Sequence, residues 1–197
     1  MKNIFLYILL LLLTFLAISC DEENEIKSDS PKLESALNDK IVIDENLNIS
    51  YQIPLNWNEM PASLSEKFVA RLSGKDKNNL IVYSPKSFYY DENTSSLLRV
   101  GSISLKDKSN HELLTIDNYI ELFRKYNSDL IIERNDIHLN QLEIIELKIE
   151  KGNLISYKTI FYNRAKEIIQ LDYSITRKNI KNFKSSIDAS IKSIKLL

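Results

Sequence analysis

The apolar positions of this chain fall into blocks whose period changes along its length, and each period predicts an element. Ile49, Tyr51 and Ile53 alternate with Ser50 and Gln52, which predicts a half-buried strand ended by Pro54. Met60, Leu64, Phe68 and Leu72 recur every four residues. Pro61 suits a first helical turn and Gly74 a C-terminal cap, so a short helix over 60–73 follows. Leu80 to Tyr83 and Leu97 to Leu105 read as strands. Thr115 is placed to cap a helix that carries Ile116, Tyr119, Ile120 and Phe123 on one side.

Two hairpins come next. Ile145, Leu147 and Ile149 alternate with Glu146, Lys148 and Glu150 before Lys151-Gly152-Asn153 turns the chain. Ile155, Tyr157, Thr159 and Phe161 continue the alternation, residues 163–166 turn again, and Ile169, Leu171, Tyr173 and Ile175 form the cleanest strand. Ile180, Phe183, Ile187, Ile191 and Ile194 then return to helical spacing, with Lys184, Asp188 and Lys192 as an outer ladder. Consecutive hairpins require an antiparallel sheet, and amphipathic helices must cover it. The fold class expected is α+β, an antiparallel sheet flanked by helices, in one domain over residues 41–197.

The N-terminus has a different pattern. Lys2 precedes an almost unbroken apolar run from Ile4 to Leu16, shorter than the roughly 20 residues of a spanning helix, so it reads as an export signal. It ends at Leu16-Ala17-Ile18-Ser19-Cys20, which resembles the lipobox of bacterial lipoproteins. That resemblance implies cleavage between Ser19 and Cys20 and a diacylglyceryl group on the Cys20 sulfur. Residues 1–19 are then a signal peptide and 20–40 a lipidated acidic tether. The implied partner is a lipid bilayer, reached through acylated, palmitate-bearing Cys20. Asp21-Glu22-Glu23-Asn24-Glu25 resembles both an inner-membrane retention signal and a surface-export signal; outer membrane and cell surface are the favoured address.

Composition sharpens this picture in two places. Cys20 is the one cysteine among 197 residues, so an exported domain has no internal disulfide and relies on its core. The formal net charge of −1, with no basic stripe, points away from nucleic acid.

Candidate chemistry is sparse. His111 and His138 are the two histidines, lie far apart in sequence, and have no cysteine to help them hold zinc. Gly101-Ser102-Ile103-Ser104 lacks the second glycine of a nucleophile elbow and falls inside a strand pattern. Glu143, Glu146 and Glu150 sit on an alternating strand, where outward charge is the ordinary expectation. The acidic cluster at 21–25 lacks the spacing of a calcium loop. Among ten tyrosines, Tyr83, Tyr89, Tyr90 and Tyr162 are candidates for an aromatic groove. No catalytic residue, metal ligand or cofactor is assigned.

Three places resemble the PsbP superfamily, which includes the DcrB-type bacterial lipoproteins. They are the opening strand Ile49-Ser50-Tyr51-Gln52-Ile53-Pro54-Leu55-Asn56-Trp57, the meander over 145–175, and the closing Ser190-Ile191-Lys192-Ser193-Ile194. The resemblance implies a PsbP-like α/β/α sandwich and a binding or assembly role without a shared catalytic residue. The function expected is a membrane-anchored, non-catalytic module with a protein or glycan partner. An envelope hydrolase using carboxylate or Ser/His chemistry, and an immunity or chaperone-like lipoprotein, stand as alternatives.

Overall fold

A run of hairpins builds most of the main sheet. The computed structural model describes residues 36–75, 80–106, 114–139 and 141–197. The expected Cys20 attachment site, the cleavage point after Ser19 and His111 lie outside the described residues.

The elements are β1 (Leu37–Asp44), β2 (Ile49–Pro54), β3 (Asn58–Glu59), α1 (Ala62–Lys75), β4 (Ile81–Asp91) and β5 (Ser96–Leu105). There follow α2 (Ile116–Tyr126), β6 (Ile131–Leu139), β7 (Leu142–Lys151), β8 (Leu154–Tyr162), β9 (Ile168–Thr176), α3 (Ile180–Lys192) and β10 (Lys195–Leu196). Seven strands form an antiparallel sheet in the order β3-β4-β5-β9-β8-β7-β6, and a three-stranded sheet runs β1-β2-β10. The fold is α+β, with antiparallel sheets and a few helices. Strand β9, from near the C-terminus, lies between β5 and β8 at the centre of the large sheet.

Each face of that sheet has its own cover. On one, Leu98, Val100, Tyr157, Phe161, Leu171 and Tyr173 meet the inner residues of β2 and Ile187 and Ile191 of α3. Trp57 is fully buried there, 6.4 Å from the Tyr173 ring and 5.7 Å from that of Phe183 between centroids. On the other, Ile116, Tyr119 and Ile120 of α2 pack over Ile103, Leu147, Ile149, Ile160 and Ile168. Burying each such side chain contributes about 1.5–3 kcal/mol. Thr115 caps α2 as expected, its side chain accepting from the Asn118 amide.

The structure departs from the sequence pattern in several places. Strand β2 is buried on both faces rather than one, because β1 and β10 flank it and α3 covers it; Ser50 is enclosed too. Helix α1 runs through Gly74 to Lys75, so that glycine lies within the helix rather than capping it. Strand β4 continues past Tyr83 to Asp91 by a bulge between Pro85 and Ser87, which lets the proline occupy a strand. Opposite the bulge, a Cβ on Gly101 would sit 2.2 Å from the Ser84 carbonyl oxygen, so only glycine fits. Strand β6, mostly exposed on both sides, had no apolar alternation to announce it. Strand β1 starts at Leu37, four residues before the expected boundary, and the closing helix stops at Lys192 so that Lys195 and Leu196 pair with β2.

Candidate functional site

Where α2 leans over the centre of the large sheet, the strands present charge instead of hydrocarbon. Arg99 of β5 and Lys158 of β8 each stand opposite Asp172 of β9 in the strand register. Antiparallel neighbours in register point to the same face, so the three converge. Arg99 Nη2 and Lys158 Nζ both donate to Asp172 Oδ2, each at 2.5 Å. The carboxylate is fully buried, while the Arg99 and Lys158 side chains keep 18% and 12% of their surface exposed.

Around this triad lie polar and aromatic groups. Tyr119 of α2 donates its hydroxyl to Gln170 Oε1 at 2.9 Å, and Tyr83 of β4 donates to the Gln170 carbonyl at 3.3 Å. The Lys158 ammonium lies 5.5 Å from the centroid of the Phe123 ring, a cation–π contact. Together they enclose a cavity of about 270 Å3, walled on its apolar side by Leu80, Ile81, Leu122, Phe123 and Tyr126. Its size is close to the lower end of small-molecule sites, about 300 Å3.

The electrostatics follow from burial. Burial pushes the Asp172 carboxyl up, but Arg99 and Lys158 outweigh it and hold it below the ordinary carboxylate range. Burial pushes the Lys158 ammonium down, against the pull of Asp172 and with the repulsion of Arg99. Asp172 holds the Arg99 guanidinium up, against burial. Burial also raises Tyr83 well above its usual value, so that phenol is neutral at physiological pH. The cavity wall therefore carries two cations against one carboxylate. Arg99 Nε, Gln170 Nε2 and Asp172 Oδ1 are buried without a hydrogen-bond partner. Buried polar atoms are nearly always satisfied. Three of the six exceptions among the described residues belong to this one site.

The residues singled out in the sequence distribute differently. Of the four candidate tyrosines, Tyr83 alone lines the cavity. Tyr89 is on the opposite face, 3.2 Å from the Tyr51 hydroxyl; Tyr90 is bonded to Glu92; and the Tyr162 hydroxyl accepts from the Ile116 amide. His138 is exposed near the end of β6. Ser102 is mid-strand, opposite Ser84 and Ile169. Glu146 contradicts the outward expectation. It is buried under α3, its Oε2 is unpartnered, and burial raises its pKa despite the opposing charge of Lys184.

A second depression of about 430 Å3 runs beside β1, between Lys40, Asp44, Trp57, Glu59 and Tyr89. Its charged residues Lys40 and Glu59 are exposed and form no buried cluster. Among the described residues no group of acidic, histidine or cysteine side chains is arranged to hold a metal.

No family model and no curated protein matches the chain. Solved structures similar to it include two with low sequence identity. The solution structure of cyanobacterial PsbP from Synechocystis sp. PCC 6803 is 13% identical, with a TM-score of 0.49 over 80% of this chain and 92% of that one. The crystal structure of PA94 from Pseudomonas aeruginosa, a protein of unknown function, is 10% identical, with a TM-score of 0.41 over 78% and 94%. Neither carries a ligand, partner or activity to this chain.

Proposed function

We propose that this chain is a lipid-anchored envelope protein with a PsbP-like module, and that the module binds a small ligand, without catalysis, in the cavity between α2 and the sheet. One observation supports the binding reading above the others. A charged triad lies in the middle of a sheet face that hydrocarbon would cover more favourably, and it leaves polar atoms unpartnered beside an opening. Stability does not require such an arrangement, whereas ligand sites commonly set a few polar groups in an apolar cavity. The PsbP-like assignment draws on Trp57, fully buried just beyond the strand that ends at Pro54, and on the sheet lying between α2 and the α3 layer.

The test of binding is a fragment screen on the detergent-solubilised full-length chain, read by saturation transfer to the fragments. Hits displaced by one another, and lost when Phe123→Ala opens the roof, support the cavity. A screen with no hits competing for one site refutes it. The anchor is tested separately, with Cys20→Ser and radiolabelled palmitate in whole cells. The reading expects label and membrane sedimentation in the parent and neither in the variant. A variant that still carries label overturns it.

A further inference from the structure

We infer that the ligand of this cavity is a small organic monoanion, a carboxylate on an apolar or aromatic body. The inference rests on the reading of the cavity as the binding site and names the chemistry that site accepts.

The charge balance sets the head group. Arg99 and Lys158 share one oxygen of one carboxylate, and Asp172 is fully buried beneath them. No other charged side chain lines the cavity among the described residues, and Tyr83 is a neutral phenol. The site therefore holds a surplus positive charge in a poorly hydrated place, where an uncompensated charge is costly. A monoanion closes the balance. A phosphate dianion would leave surplus negative charge against Asp172, and an ammonium would add to the surplus positive charge of Arg99 and Lys158.

Hydrogen-bonding capacity points the same way. A lysine ammonium has three donors and an arginine guanidinium five, of which Asp172 Oδ2 receives one from each. Gln170 has its amide oxygen occupied by Tyr119 and its amide nitrogen unpartnered, so it adds donors and no free acceptor. The free capacity is mostly donor, which suits the acceptor-only oxygens of a carboxylate. Asp172, acting through the two cations from below, is a positioning residue.

The body of the ligand is set by the rest of the wall. Leu80, Ile81, Leu122, Phe123 and the Tyr126 ring present hydrocarbon along a cavity of about 270 Å3, room for a few-carbon chain and a ring but not for a nucleotide or an oligosaccharide.

The experiment is calorimetric titration of the full-length chain in detergent with one body carrying three heads. The probes are 3-phenylpropanoate, 3-phenylpropan-1-ol and 3-phenylpropylamine, with acetate and inorganic phosphate as heads lacking the body. The carboxylate is expected to bind about tenfold or more tightly than the alcohol and amine, since bonds to charged groups discriminate by at least that much. It should also exceed acetate and phosphate. Lys158→Met should reduce phenylpropanoate affinity by about tenfold and alcohol affinity by less. The wild-type series needs no variant to fold. Equal affinity for the three phenylpropyl heads overturns the inference while leaving the binding site standing. Phosphate binding tighter than phenylpropanoate overturns it too. Silence from all five probes also counts against it, and with an empty fragment screen it removes the binding reading as well.

Discussion

The two faces of the large sheet solve the same problem in opposite ways. On the face under β2 and α3, the central strands bury Leu98, Leu171, Tyr173 and Tyr157, and Trp57 closes the layer. The Tyr173 and Ser190 hydroxyls meet there at 2.9 Å, while Trp57 Nε1, Glu146 Oε2 and Thr159 Oγ1 are buried without partners but hold no charged cluster. On the α2 face, one residue along the same strands, the chain places Arg99, Asp172 and Lys158, and leaves a cavity beside them. The first face is built for stability. The second gives some of it up, and that difference is the ground for the proposed binding site.

The largest effects should separate the faces. Trp57→Ala removes a fully buried ring and is expected to cost about 3–5 kcal/mol. Asp172→Asn is expected to cost about 3 kcal/mol, because it strands two largely buried cations. Urea midpoints measure both. The two losses differ in their cure. Replacing the whole triad with Arg99→Met, Lys158→Met and Asp172→Leu should recover the Asp172→Asn loss to within about 1 kcal/mol of wild type, or exceed it. Failure to recover would mean that the triad is structural.

Next in size is Gly101→Ala, beside the triad at the β4 bulge. The new methyl meets backbone at Ser84 and Pro85, not a flexible side chain, so a cost of about 1–3 kcal/mol is expected. Tyr173→Phe, on the stable face, removes one hydroxyl pair and should cost about 0.5–1.5 kcal/mol in thermal unfolding.

Acid distinguishes the faces as well. The Asp172 carboxyl is held down in the folded state, so its stabilisation is complete above the unfolded value of about 3.9 and is lost as pH falls through the lower folded value. Glu146 behaves in the reverse sense. Its pKa is raised by burial, so folding favours the protonated form, and stability is lost as pH rises from about 4.3 through the folded value. Glu146→Gln is accordingly expected to raise the unfolding midpoint at pH 7 and to change nothing below pH 3.5. This is the smallest effect, and a drop at pH 7 would contradict it.

The layers were legible in the sequence because their residues alternate without interruption. Strands β7, β8 and β9 and the cap of α2 could be placed from Ile145 to Ile175 and from Thr115. The triad was not, for a physical reason. Arg99, Lys158 and Asp172 each occupy a polar slot in an alternating strand, which in a single strand reads as solvent-facing. Only the register, with β9 between β5 and β8 and α2 above them, turns three ordinary surface charges into one buried group. A usable signal existed. A strand with Gln170, Asp172 and Ser174 on one side, in a sheet that helices must cover, has to find partners for them. Strand β6 escaped notice because it is an edge with both sides largely wet. Glu146 was misread because α3 folds back over the strand that carries it.

The most direct measurement is a titration of the isotopically labelled full-length chain with 3-phenylpropanoate, followed residue by residue in amide correlation spectra. The account predicts shifts concentrated at Arg99, Tyr119, Phe123, Lys158 and Gln170, and a silent spectrum from the folded triad-to-apolar variant. Shifts gathered instead beside β1 and Trp57, or equal in that variant, would contradict it.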